Sequence, residues 1–195
     1  MRVIGLTGSI GMGKSTTAAM FRARGVAVHD ADVAVHRLYE GSAVAPLEAA
    51  FPGITAGGKI DRARLSARVV ENPHALAQLE AIVHPLVRAS EAEFLARSRA
   101  ERRCLAIVDV PLLFETGGES GVDIVLVVTA DPAIQRRRVL ARPGMDARKF
   151  ESLLARQIPD SEKRRRAHFV VDTGRDHAAA ARQVDDILRA LAFTP

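Results

Sequence analysis

The 195-residue sequence has a single cysteine, Cys104, so no internal disulfide can form. A reducing compartment is the simplest setting for such a chain, and the expectation is a cytoplasmic protein. Cys104 reads as lying inside an apolar strand and is expected to fill core space. No apolar stretch approaches the ~20 residues that a membrane-crossing helix needs. The start shows no basic-then-apolar leader, and no membrane partner is expected. No pair of His or Cys residues stands at metal-ligand spacing, which argues against a zinc-type site. Internal repeats and low-complexity tracts are absent, and no Asn-Lys-x-Asp guanine motif occurs. A GTP-dependent switch is therefore disfavoured.

Charge is present but unevenly spread. The chain carries a net +5. Residues 136–166 hold eleven Lys and Arg against four Asp and Glu, a net +7 that leaves −2 for the remainder. A nucleic-acid patch and a cationic flap over a polyphosphate both fit that pattern. The segment has one aromatic, Phe150, and so little on which bases could stack. The flap is favoured, and no nucleic-acid partner is expected.

The octapeptide Gly8-Ser9-Ile10-Gly11-Met12-Gly13-Lys14-Ser15 carries the most chemistry. Gly, four residues, then Gly-Lys-Ser is the pattern of a phosphate-binding loop. Residues 3–7 read as a buried strand before it. Residues 14–24 read as a helix after it, with Ala18, Ala19, Met20 and Phe21 on the apolar face. Backbone amides and the helix N-terminus would hold phosphate. Lys14 would reach the β- and γ-phosphates, and the Ser15 hydroxyl would ligate Mg²⁺.

Strand and helix alternate along the chain, which predicts a parallel α/β sheet covered on both faces. A short strand ends at Asp30-Ala31-Asp32. Residues 33–100 show no convincing strand; Pro46, Pro52-Gly53, Gly57-Gly58, Pro73 and Pro85 interrupt their helical stretches. This excursion reads as a substrate-site insertion or as a plain packing layer. Strands follow at 105–108, 124–128 and 169–171. Asp131-Pro132 predicts the start of a helix that carries Arg136, Arg137, Arg138 and Arg142 as far as Pro143-Gly144. A second basic helix is predicted over 146–157. Asp176 is expected to cap a last helix that ends near residue 192.

Ligands of parallel sheets bind outside the carboxyl ends of the strands. The loop, Asp30 and Asp32, Asp109 and the Asp172 turn all fall there. In extended backbone, Asp30 and Asp32 would share a face. One carboxylate would take a proton from an attacking hydroxyl, although Asp32 could also merely cap a helix starting at Val33. Asp109 stands where a metal-holding carboxylate would end a strand, and Glu115 is a comparable candidate. Arg138 and Arg142, four apart, would share a helix face and clamp a γ-phosphoryl group. Arg156 and a Pro143-Gly144 hinge would complete a closing lid.

Taken together, these residues resemble the dephospho-coenzyme A kinases over nearly the whole chain. The resemblance rests on the run Ile4 to Ser15, Asp30-Ala31-Asp32, and Leu79-Glu80-Ala81-Ile82-Val83-His84-Pro85-Leu86-Val87. It continues with Val110-Pro111-Leu112-Leu113-Phe114-Glu115, Arg156-Gln157, Lys163-Arg164 and Phe169-Val170-Val171-Asp172. It implies a P-loop kinase core with five parallel strands, a helical acceptor-binding insertion and a basic lid. The core would comprise residues 1–32, 101–135 and 167–195, the acceptor region 33–100, and the lid 136–166, all within one kinase domain. The implied reaction phosphorylates the ribose 3′-hydroxyl of dephospho-CoA with ATP and Mg²⁺, in a monomer or weak homo-oligomer. Asp32 matches the family's base, and Lys14, Arg138 and Arg142 its phosphate-handling cations. ATP would meet Gly8, Gly11, Met12, Gly13, Lys14, Ser15, Thr16 and Thr173; the acceptor would meet Asp30, Asp32, His84, Pro85 and Leu113. Two positions depart from the family pattern: Thr173 replaces an Asn near the adenine, and His168 replaces an Asp.

Overall fold

In the computed structural model, residues 1–70 and 72–192 are described. Strand β1 (Arg2–Thr7) is buried from Val3 onward. Helix α1 (Lys14–Ala23) buries Thr17, Ala18, Met20 and Phe21, while Ala19 faces solvent. Strand β2 (Ala27–Asp30) follows. The next elements are α2 (Ala31–Leu38), α3 (Val44–Ala50), β3 (Thr55–Ala56), β4 (Lys59–Ile60), α4 (Arg62–Val69) and α5 (Pro73–Ala100). After them come β5 (Leu105–Asp109), β6 (Ile124–Thr129), α6 (Pro132–Leu140) and α7 (Ala147–Leu154). The chain closes with α8 (Asp160–Arg166), β7 (Phe169–Asp172) and α9 (His177–Ala192).

The main sheet has the order β2-β5-β1-β6-β7. Strands β5, β1, β6 and β7 run parallel, with Ile4 opposite both Ile107 and Ile124. Strand β6 shows why both faces are dry. Ile124, Leu126 and Val128 enter the cluster that also holds Ala18, Phe21, Ala180 and Val184. Val125 and Val127, pointing the other way, pack with Leu113 and Phe114. Side chains alternate across a strand, so a strand covered on both faces must be apolar throughout. The strand order reverses direction around β1, which makes its carboxyl end the switch point where ligands of such sheets bind.

Two compact units divide the chain: Met1–Val28 with the chain from Arg102 onward, and His29–Glu101. The second unit has its own core of Leu47, Ile54, Ile60, Leu65 and Val83. It differs from the sequence expectation in two ways. It contains a small antiparallel hairpin, β3 paired with β4. The turn uses Gly57 and Gly58 at φ 58 and φ 77, the left-handed pair that a two-residue hairpin requires. Pro85 does not interrupt the last helix either; α5 runs 28 residues through it. A proline removes one intrahelical bond, and the flanking turns hold the helix together. At its start Asn72 accepts from the Ala75 amide at 3.1 Å, with Pro73 in the first helical position.

Further departures concern single residues. Cys104 is exposed and precedes β5, next to a turn in which Arg102 takes φ 53, so it is not a core residue. Helix α6 stops at Leu140, leaving Arg142 in the following turn rather than on the helix face of Arg138. Helix α7 is shorter than the predicted 146–157, and Asp146 caps it through the Lys149 amide at 2.8 Å. Helix α8 was not expected. Its signal was present: Pro159 before Asp160 and Glu162, then four basic residues in the last turn. The Asp131 and Asp176 caps lie where predicted, accepting from Ala133 and Ala179 at 2.8 Å and 2.7 Å.

Candidate active site

The glycine-rich loop leaves the carboxyl end of β1 and enters α1. Gly13, at φ 90, stands at the N-cap, and no side chain caps the helix. The first-turn amides of α1 are therefore not taken by a capping side chain, as anion binding requires. Ser15 and Thr16 are exposed on that turn. The Lys14 ammonium is paired with the Asp109 carboxylate at the end of β5, and Asp109 is 1% exposed. The strand-end position predicted for Asp109 thus holds, and its partner is the loop lysine.

The loop is packed tightly from behind. Gly11 sits at φ 79, and a Cβ there would lie 2.4 Å from Val139 Cγ2 and 3.1 Å from the Gln135 carbonyl oxygen. Gly11→Ala is expected to cost about 1–2 kcal/mol for the left-handed backbone and about 1–3 kcal/mol for overpacking. Thermal unfolding should show the loss, and Val139→Ala in the same chain should recover part of it. No recovery would mean that the backbone conformation alone sets the cost.

Thr173 is placed differently from its expected position at a nucleotide base. It is 7% exposed. Its hydroxyl donates to the Met12 carbonyl at 2.7 Å and accepts from Arg138 Nη1 at 2.9 Å. Its own carbonyl accepts from Arg138 Nη2 at 2.7 Å, and its amide donates to Thr129 O at 2.9 Å. All of its polar groups thus serve the fold, and what it holds is the loop. Met12 is buried, and its sulfur accepts from the Ala130 amide at 3.1 Å. Arg138 and Arg142 line one cleft of about 290 Å³ together with Gly11, Gly13, Thr16 and Arg175. Arg138 reaches this cleft from a helix and Arg142 from the turn after it. A larger cavity of about 1060 Å³ lies beside the loop, lined by Ser9, Met12, Gln135, Gln157, Asp160 and Asp172 among others.

Glu115 and Leu113 are structural here. Leu113, expected against the acceptor, is 1% exposed and packs in the core with Phe114, Val125 and Val127. Glu115 Oε1 lies 2.7 Å from Nζ of Lys163, a lysine with 0% exposure, and accepts from the Ile158 amide at 2.9 Å. Burial pushes the Glu115 carboxyl up, but the hydrogen bonds from Lys163 and Ile158 and the Lys163 charge outweigh it. The group sits below the ordinary carboxylate range. His168, the other departure, accepts from the Val125 amide at 3.0 Å through Nδ1 and so joins the β6 edge.

In the second unit, Asp30 rather than Asp32 caps a helix. Asp30 Oδ1 accepts from the Asp32 and Val33 amides, both at 3.1 Å, so α2 begins at Ala31. The two carboxylates are not on one extended face, because Asp32 is already helical. Its side chain is exposed on the first turn. His29, beside Asp30, is 8% exposed, lies 3.2 Å from Ser90 Oγ, and packs against Phe94 with ring centroids 5.4 Å apart. Burial lowers its pKa, partly offset by the Asp30 charge. His84 and Pro85 are both exposed on α5.

Residues 2–178 match the dephospho-CoA kinase family. A dephospho-CoA kinase of Rhizobium meliloti is 58% identical over 188 residues, covering 96% of this chain and 97% of the relative. One from Rhodopseudomonas palustris is 56% identical over 195 residues, covering 100% and 98%. The crystal structure of a Thermus thermophilus protein superposes with TM-score 0.84 at 36% identity, covering 100% of this chain and 98% of that one. The chain belongs to the dephospho-CoA kinase family.

Proposed function

We propose that this protein transfers the γ-phosphoryl group of ATP to the ribose 3′-hydroxyl of dephospho-CoA, releasing ADP and CoA, the last step of coenzyme A formation. The observation that carries the reading is family membership over residues 2–178, a span that includes the loop and both candidate acceptor segments. The loop amides, with Gly8, Gly11, Met12, Gly13, Ser15 and Thr16, hold the triphosphate. Lys14 exchanges Asp109 for the β- and γ-phosphate oxygens. Asp32 takes the proton of the 3′-hydroxyl as that oxygen bonds to the γ-phosphorus. The bond from phosphorus to the β,γ-bridging oxygen breaks, and ADP leaves with the electron pair. Arg138 and Arg142 offset the negative charge of the transferring group. Asp30, His84 and Pro85 lie on the segments that meet the acceptor.

Mg²⁺ fits the residues present. Among the described residues no group of three or more His, Cys, Asp or Glu could hold a metal. Magnesium at nucleotide sites leans on substrate phosphates and waters with few protein ligands. The exposed Ser15 hydroxyl would supply one ligand, and Asp109 would stand close by. The ion would neutralise β- and γ-phosphate oxygens.

No helix among the described residues is long and apolar enough to cross a membrane. With a single cysteine, we place the reaction in a reducing cytoplasm, carried out by a monomer or weak homo-oligomer without nucleic acid. Functionally we treat the chain as one kinase whose acceptor region is 33–100 and whose lid is 136–166. An assay of ADP release with dephospho-CoA, adenosine and shikimate as alternative acceptors tests the substrate. Only dephospho-CoA should stimulate release strongly, and no stimulation by it would overturn the proposal.

A further inference from the structure

One residue of the phosphate loop is gripped on both sides by side chains from outside it. Gln135 Nε2, from α6, donates to the Ile10 carbonyl at 2.7 Å. The Ile10 amide donates to Gln157 Oε1 at 3.1 Å. Gln135 is 4% exposed, and the bond that its amide makes is part-buried. These two glutamines flank residues 136–156 of the basic segment: residue 135 just before them, residue 157 after α7. Both flanks of residues 136–156 therefore attach to the same residue of the loop.

Each anchor is itself fixed. Gln135 belongs to the helix that meets Gly11 with no room for a side chain, and Arg138, one turn on, holds Thr173 against Met12. Gln157 is followed by Ile158, whose amide is bound to Glu115, the partner of buried Lys163. A loop rich in glycine has many accessible backbone states. Fixing the amide and the carbonyl of one central residue removes much of that freedom before any anion arrives, and preorganisation of this kind lowers the cost of binding.

We propose that Gln135 and Gln157 are positioning residues that set the shape of the phosphate loop through Ile10, tying it to the two ends of the 136–156 segment. The part of this proposal that concerns nucleotide affinity rests on reading the loop as the ATP site. The grip itself does not. Methionine at either position keeps the side-chain length but loses the hydrogen bond. Glutamate at 157 keeps the acceptor for the Ile10 amide and adds a negative charge beside a loop that receives phosphates.

The experiment is amide hydrogen exchange of Ile10 in the nucleotide-free protein, followed by calorimetric titration of the same samples with ATP. Gln157→Met should speed Ile10 exchange roughly tenfold, the scale of one hydrogen bond, while Leu6 in β1 keeps its protection. Gln157→Met and Gln135→Met should each weaken ATP binding roughly five- to tenfold. Their combination should fall short of the product of the two, because both act on one residue. Gln157→Glu should restore slow Ile10 exchange yet leave ATP binding weakened. Unchanged Ile10 exchange in Gln157→Met, or wild-type ATP affinity in both methionine variants, would overturn the proposal. Wild-type protein that binds no ATP would instead overturn the kinase reading, with the exchange data still deciding the grip. If Gln157→Met fails to fold, Gln157→Glu and Gln135→Met carry the same comparison.

Discussion

Asp32→Asn is expected to lower kcat by about 10³-fold, within the range for loss of a positioned general base, while ATP affinity stays within about twofold. The reason is chemical. Asparagine matches aspartate in shape but cannot accept the proton of a 3′-hydroxyl at neutral pH. The local structure makes the substitution clean, because the cap of α2 is Asp30, whose Oδ1 takes both first-turn amides. Asp32 contributes its backbone amide to that cap, and asparagine keeps it. Thermal stability should therefore change little, by about 0.3–1 kcal/mol for the lost charge near a helix N-terminus. Asp30→Ala should show the converse, a stability loss of about 1 kcal/mol for the missing cap. Near-normal turnover in Asp32→Asn, measured with saturating ATP and dephospho-CoA, would remove Asp32 as the base.

The second large effect concerns stability. Lys163→Met is expected to destabilise the fold by about 3–5 kcal/mol, because it strands the partly buried Glu115 carboxylate without its countercharge. Lys163 has 0% exposure and its ammonium sits 2.7 Å from Glu115. At roughly 2–4 °C per kcal/mol for a chain of this size, Tm should fall by about 10 °C. Replacing both partners, with Lys163→Met and Glu115→Leu, should recover most of that loss, since a well-packed apolar pair carries no desolvation cost. The pH profile supplies an independent check. The Glu115 carboxyl is held below its ordinary range in the folded protein. Its contribution is therefore present above the ordinary glutamate value of about 4.3 and is lost as pH falls below it toward the folded value. Lys163→Met should lose that acid-side step. A single and a double variant of equal stability would show that the ion pair is not what holds α8 in place.

Some parts of this molecule announce themselves in the sequence for a physical reason. The loop did, because wrapping an anion demands glycines at fixed spacing between a strand and a helix. Strand β6 did, because a strand covered on both faces has no polar position to hide. The order of motifs carried the family. Other features depend on contacts that no local pattern encodes. The β3–β4 hairpin has two residues per strand, too few to show any alternation. Pro85 falls under a local rule against proline in helix interiors, and the rest of a 28-residue helix overrides that rule. Lys163 sits in a run of basic residues, and its neighbours Arg164, Arg165 and Arg166 are exposed while it alone turns inward. Gln135 and Gln157 look like ordinary polar residues, and their shared partner is more than a hundred residues away. The family resemblance puts Thr173 where an Asn stands near the adenine, whereas its hydroxyl is committed to Met12 and Arg138.

The central claim is a transfer between two specific oxygens. Phosphorus NMR of the products from this protein with ATP, Mg²⁺ and dephospho-CoA tests it most directly. The predicted result is one ADP for each CoA formed, with the new phosphomonoester on the ribose 3′-oxygen. ADP appearing without CoA, or a phosphate on any other oxygen of the acceptor, would contradict it.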